Sequence, residues 1–428
     1  MSAGLHARTV PLAYGPDPLE FDGSPTVLFD RPGLTLVGWG TAQLVEAAEA
    51  ADALAAIPCD DPVRALGSGP VAFGALPFDD AMRGNLVIPR FTMGIARDAG
   101  GRVQRWATAV GPADTPLPDT DQLFDSVLWQ YGTTPAAVEK TPGVAGVTTA
   151  MSGDGYAAMV RETVSAMAAP DAGLHKVVLS RSIALDLDGQ LHLAEVLRRL
   201  RAAEPHCTVF SMPVLDGTFF GASPELLVAR AADRVSAHPL AGTVARGDTA
   251  RRDADAQRDL ARSDKSQSEH RYVVDAIEEA LAPFCVELAI PPEPSLVAFR
   301  SVAHLGTRIE GRLTHPPAGV LDLLAPLHPT PAVGGTPRDG ALAFQRAHEA
   351  GGRGHWAGPV GWVGASGDGE WMIGIRSAQL HEDGTSLTLR AGGGIVAGSE
   401  PVAEAAEVDV KLATVLEAIL PGASVPLG

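Results

Sequence analysis

The chain has 428 residues, 46% of them hydrophobic, with 51 acidic against 33 basic side chains and a formal net charge of −18. That is apolar material for a large core and for two or more structural units. With no basic cluster, the balance argues against nucleic acid as a partner, and an anionic substrate would need local cations, a metal ion or aligned amides to draw it in.

In chain order, residues 1–145 read as scaffold. Strand-like runs at Leu34–Val37, Val71–Leu76 and Asn85–Phe91 flank one Ala-rich helix expected over Ala42–Ile57. Pro-containing stretches at Gly111–Thr120 and Thr133–Gly146 read as loops or a linker. No chemistry-bearing cluster precedes about Ser152. The cysteines, Cys59, Cys207 and Cys285, show no metal-ligand spacing and are expected as reduced thiols in a cytoplasmic protein. No apolar run has signal-peptide or membrane-spanning length, so no membrane partner is expected.

Residues 150–428 carry sharper signals. Tyr156, Met159, Val160, Val164 and Met167 give helical periodicity over Tyr156–Ala168. HKVVLSRSIALDL reads as one strand with Lys176 at its start. Leu193–Arg201 is expected as helix, Val209–Met212 with Phe219–Gly221 as a hairpin, and Ser263–Leu281 as a long amphipathic helix. Leu296–Ile309, Gly358–Val363, Trp371–Ser377 and Ser386–Arg390 read as further strands. Three glycines, Gly392 to Gly394, then lead to a helix announced by Glu400-Pro401. On it Glu404, Glu407 and Lys411 share one face, beside an apolar stripe of Val408, Leu412, Val415 and Ile419. The whole predicts an α+β fold, a large mixed or antiparallel sheet core in two layers with surrounding helices. No Gly-rich segment has the strand-loop-helix setting of a nucleotide-binding loop.

Each candidate residue carries two readings. Lys176, among apolar neighbours, is either a snorkelling side chain or a pocket amine whose burial depresses its pKa toward general-base use. Glu225, on the Ser223-Pro224 turn between apolar runs, is either an exposed turn carboxylate or a buried general acid. Glu269 faces the packed side of its helix and needs a partner: a structural salt bridge, or a hard cation shared with Glu407. His270, one residue on, faces elsewhere and reads as structural. Gly242 and Thr243 in HPLAGTVARG, and His328, Ala332 and Val333 in LHPTPAVGG, are either ordinary turns or loops a ligand can approach closely. His304 and Arg376 come from separate strands, and Arg376 is expected to meet a carboxylate of the protein or of a substrate.

Together these segments resemble the chorismate-utilising enzymes. HKVVLSRS, FFGASPELL, HPLAGTVARG, SDKSQSEH, HLGTRIEG, LHPTPAVGG, GPVGWVGASGDGEWMIGIRSAQL and AGGGIVAGSEPVAEAAEVDVKL occur in family order from about residue 150 to the end. The resemblance implies Lys176 as the base that activates water and Glu225 as the acid. It implies Mg2+ held by Glu269 and Glu407, with Glu404 beside them. Gly242, Thr243, His304, Arg376, Lys411 and the backbone near Gly394 would bind the substrate chorismate. The His-Pro stretch is that of water-using members, implying isochorismate formation without a glutaminase subunit; a monomer is expected. Salicylate formation is the alternative, since it uses the same base, acid and metal. His355-Trp356 and Ala405-Ala406 depart from the family pattern and bear on pocket shape.

Overall fold

The computed structural model describes residues 4–13, 17, 19, 25–97, 100–117, 141–169, 173–300, 302–349, 351–423 and 425. The expected loop positions 118–120 and 133–140 lie outside them. Among the described residues, 20 strands form one hydrogen-bonded network and three more form a small separate sheet. Every pairing is antiparallel except Leu5–Pro11 with Cys59–Asp60.

Two six-strand ladders run through the network. One runs from Val27–Arg31 through Thr208–Val214, Gly217–Ser223, Ser377–His381 and Ser386–Val396 to Lys176–Leu187. The other runs from Val71–Ala75 through Pro359–Gly364, Gly369–Ile373, Leu226–Ala231 and Arg234–His238 to Ile309–Leu313. The long strand Asn85–Arg97 joins them by pairing with both Leu34–Glu46 and Val71–Ala75. Strands from the first 145 residues are thus hydrogen-bonded into the same ladders as strands beyond residue 150. Phe29 and Phe210 of one ladder pack with Phe73 and Trp362 of the other in a shared core cluster. Each such buried aromatic contributes roughly 2–3 kcal/mol.

Helix Gly153–Met167 is capped by Ser152, whose hydroxyl accepts from the Gly155 amide. It packs against helix Pro401–Ile419, and that helix lies on strand Ser386–Val396. Val408, Leu412, Val415 and Ile419 are all buried there, as the expected stripe requires. The Pro401 helix opens with Glu400, whose side chain accepts from the Ala403 amide at 2.9 Å.

Three expected elements differ. The Ala42–Ile57 helix shrinks to a short helix at Ala50–Ala55, because residues 42–46 extend strand Leu34–Glu46. There Val45 points inward and Leu44 outward, and pairing with Asn85–Arg97 overrides alanine's helix preference. The single strand expected over Leu296–Ile309 is three: Ser295–Ala298 and Val302–Gly306 belong to the small sheet, while Ile309–Leu313 returns to the large network. Strand Trp371–Ser377 breaks after Ile373 and resumes at Ser377. In the gap Arg376 takes a left-handed backbone with φ of 52°.

Candidate active site

One cleft lies between the large network, the small sheet and helices Asp264–Leu281 and Pro401–Ile419. Lys176, Glu225, Gly242, Thr243, Glu269, His304, Ala332, Val333, Arg376, Gly394, Glu404, Glu407 and Lys411 all line it, although they come from widely separated parts of the chain.

Lys176 opens strand Lys176–Leu187, and its side chain is 2% exposed. Burial lowers its pKa from the usual lysine value, while the Glu269 and then the Glu225 carboxylate pull it back up. The strand is fixed on both edges. One edge pairs with Ser386–Val396, placing Gly392, Gly393 and Gly394 opposite Ser180, Leu179 and Val178. On the other edge Gly335–Thr336 pairs with Lys176 and Val177 and Val144–Thr149 pairs with Ile183–Leu187, and in the gap between them side chains stand where a strand partner would. Glu349 Oε1 accepts from the Ser180 amide at 2.7 Å, and the Val178 carbonyl accepts from Gln345 Nε2 at 2.8 Å and Arg353 Nη2 at 2.7 Å. Arg353 Nη1 also holds the Val333 carbonyl at 2.7 Å, tying the loop that carries Ala332 and Val333 to the same splint.

The glycine run is strand, continuing the one expected over Ser386–Arg390 as far as Val396. At Gly394 a side chain would bring a Cβ within 2.9 Å of Lys176 Cε, so glycine leaves room for the amine. At Gly392 a Cβ would meet the Leu179 carbonyl at 2.4 Å and the Trp356 ring at 3.0 Å.

Glu225 sits between strands Gly217–Ser223 and Leu226–Ala231, 4% exposed. Its backbone carbonyl accepts from Ile373, and its Oε1 receives only a long bond of 3.4 Å from the Leu240 amide. Burial therefore dominates and pushes its pKa up to about 8, against the smaller pull of Leu240, Lys176 and Arg376. At pH 7 such a carboxyl is roughly nine-tenths protonated.

His304 and Thr243 face each other across the small sheet. His304 Nε2 lies 2.9 Å from Arg376 Nη2. A guanidinium only donates, so Nε2 accepts and the ring proton sits on Nδ1. Nδ1 faces the Thr243 hydroxyl at 3.1 Å and the Gly242 carbonyl at 3.3 Å. Burial, then Arg376 and Lys411, hold this ring well below the usual histidine pKa, so it stays neutral. Arg376 lies over the Phe299 ring at 4.5 Å and has no carboxylate partner among the described residues. Of the two carboxylates expected for it, one of the protein or one of a substrate, the described residues supply none of the first kind.

Glu269, Glu404 and Glu407 line the cleft as well. Glu269 is 8% exposed and its pKa is raised by burial despite Lys176 and Lys265. Glu404 is 5% exposed and accepts from Lys265 Nζ at 2.6 Å. Glu407 pairs with Lys411 at 2.7 Å, and Lys411 also donates to the Gly392 carbonyl at 2.9 Å. Among the described residues no three His, Cys, Asp or Glu side chains converge closely enough to hold an ion unaided. Oxygen donors around a bridging ammonium still suit a hard cation that completes its shell with substrate oxygens and water.

His328 does not join the cleft. It is buried, and its Nε2 donates to the Phe78 carbonyl at 2.9 Å, anchoring two distant segments. His270 is buried against the Thr307 hydroxyl at 2.7 Å, a structural place. Trp356, expected to bear on pocket shape, lines the cleft, and so do Lys265 and Arg390, which the sequence did not single out. The signal for Lys265 was its position four residues before Glu269 on one helix face.

Known proteins share this arrangement of chain. Residues 35–420 match the family model described as "Chorismate binding enzyme". Isochorismate synthase DhbC of Bacillus subtilis is 35% identical over 359 residues, covering 82% of this chain and 81% of that protein. Isochorismate synthase EntC of Escherichia coli is 33% identical over 364 residues, covering 85% and 84%. The solved structure of MenF, the menaquinone-specific isochorismate synthase of Escherichia coli, superposes with a TM-score of 0.79 at 25% identity, covering 98% of this chain and 95% of that one.

Proposed function

The chain belongs to the chorismate-binding enzyme family, and from that premise we propose that it is an isochorismate synthase. Water adds to the ring carbon next to the one bearing the carboxylate, the distant hydroxyl leaves, and the ring double bonds shift. Lys176 takes the proton from the attacking water, and Glu225 gives one to the departing hydroxyl; the reverse reaction exchanges their roles.

The observation that carries this reading is the state of those two groups in one cleft. Burial drives Lys176 toward the neutral amine and Glu225 toward the protonated acid. These are the forms a base and an acid need before turnover. Protonated Glu225 also removes one of the two carboxylates that keep Lys176 charged, so the productive states support each other.

Chorismate is a dianion, and the chain's charge of −18 makes its capture a local matter. Arg376, held by His304 and without a carboxylate partner among the described residues, and Lys411 supply cationic contacts for carboxylates. Glu269 and Glu407, with Glu404, would hold Mg2+, which would supply positive charge to draw a substrate carboxylate into an acidic site. We read the enzyme as a cytoplasmic monomer working without a glutaminase subunit, feeding siderophore (2,3-dihydroxybenzoate) or menaquinone synthesis. Among the described residues no helix is long and apolar enough to cross a membrane.

The test is product identification after incubation with chorismate and Mg2+. Isochorismate is expected, formed without ammonia. Stoichiometric salicylate and pyruvate would make the protein a salicylate synthase instead, and a product requiring ammonia would overturn both readings.

A further inference from the structure

Lys265 lies in the first turn of helix Asp264–Leu281, and its ammonium bridges two carboxylates from different helices. Nζ is 2.6 Å from Glu404 Oε1 and 3.9 Å from Glu269 Oε1. The side chains of Glu404 and Glu269 are 6% and 10% exposed, whereas that of Lys265 is 39% exposed. The carboxylates are walled in, and the cation is the member of the cluster with a way out to solvent. Glu407 has its own ammonium, Lys411, at 2.7 Å.

We propose that Lys265 is the resident counter-ion of the metal-binding carboxylates, so that a divalent cation enters only by displacing its ammonium into solvent. The inference rests on the magnesium reading above and adds the residue that sets metal affinity. A hard dication binds carboxylate oxygen at about 2.0–2.6 Å. With the ammonium at 2.6 Å from the same Glu404 oxygen, two like charges would stand within a few ångströms in a poorly solvated wall. The two occupants exclude each other. Lys265 also explains how buried Glu269 and Glu404 coexist before metal arrives, since unpaired buried carboxylates would repel one another and draw protons. Lys265 is a positioning residue: it touches the carboxylates and is assigned no proton transfer.

The experiment measures binding of Mn2+ alone, without chorismate, by the electron paramagnetic resonance signal of the free ion. It uses the full chain as wild type, Lys265→Met, Lys265→Gln, and each Lys265 variant combined with Glu269→Gln. Methionine keeps the stem's length and apolar packing, and circular dichroism verifies that each variant is folded. Both single variants are expected to bind Mn2+ at least tenfold more tightly than wild type, about 1.4 kcal/mol. Adding Glu269→Gln should reverse that gain. Unchanged or weaker binding in the folded single variants would overturn the proposal while leaving the magnesium reading standing. Tight Mn2+ binding that survives Glu269→Gln, or no Mn2+ bound by any protein, would overturn the magnesium reading and this inference with it.

Discussion

The imidazole Nε2 of His304 accepts a hydrogen bond from the guanidinium of Arg376 at 2.9 Å. The arginine also rests on the Phe299 ring, from a left-handed backbone position in the break between two strands. Its head is thus pre-positioned for a carboxylate rather than recruited on binding. Arg376→Lys removes the planar two-pronged donor while keeping the charge, and should raise KM for chorismate roughly tenfold to a hundredfold, by about 1.5–3 kcal/mol of charge-assisted hydrogen bonding. His304→Ala should do the same more weakly, by freeing the head to wander. Steady-state kinetics decide: if KM is unchanged in Arg376→Lys, the residue does not hold substrate.

Glu225 links activity to pH. Its pKa is about 8 in the folded chain against an ordinary value of 4.5. A raised folded value means that the proton stabilises the fold: the contribution is fully present below about pH 4.5 and is lost as pH rises through 8. The loss is on the order of 5 kcal/mol. Turnover should fall above about pH 8 as the acid ionises. Glu225→Gln should abolish turnover and flatten the stability slope between those limits. Denaturation midpoints of both proteins at pH 6 and 9, with a kcat profile of wild type, check it. An alkaline limb far from 8 would place the acid elsewhere.

What was legible depended on how local the cause was. Lys176 at a strand head, Glu225 on a Pro turn and Glu404, Glu407 and Lys411 on one helix face follow from spacing and neighbours. Family resemblance then joined them across the chain. The Ala42–Ile57 helix misled because pairing with a strand some forty residues later decides residues 42–46. The bend at Arg376 and the division of residues 295–313 between two sheets depend on tertiary pairing in the same way. Lys265 went unseen because a lysine four residues from a glutamate is ordinary on any helix; its meaning comes from Glu404, which approaches from another helix. His328 misled in the opposite sense, since its loop borders the cleft but its ring turns to Phe78.

The splint on strand Lys176–Leu187 should appear as strong coupling between Glu349 and Arg353. Both side chains are 3% exposed and pair at 2.6 Å. Arg353→Met strands a buried carboxylate and should cost about 3–5 kcal/mol. Adding Glu349→Gln removes that charge yet keeps an acceptor for the Ser180 amide, so the double variant should recover 1–3 kcal/mol, by the usual coupling of contacting groups. Urea unfolding of the four proteins in the cycle measures the term; additive losses would show that the pair is not a unit.

Gly394→Ala separates folding from chemistry at the base itself. A Cβ there would fall 2.9 Å from Lys176 Cε, 3.5 Å from Nζ and 3.7 Å from Glu269 Oε2. The encroached atom is the far end of a flexible side chain, so the backbone ladder has no need to move and stability should change little. The amine, however, must shift by several tenths of an ångström inside a wall that leaves it 2% exposed. Displacing a reacting group on that scale costs up to about a hundredfold in rate. The expected result is a kcat lower by ten- to a hundredfold with a nearly unchanged denaturation midpoint. A folded variant with wild-type kcat would mean that the position of Lys176 is not what limits turnover, and with it the assignment of Lys176 as the base would lose its geometric support.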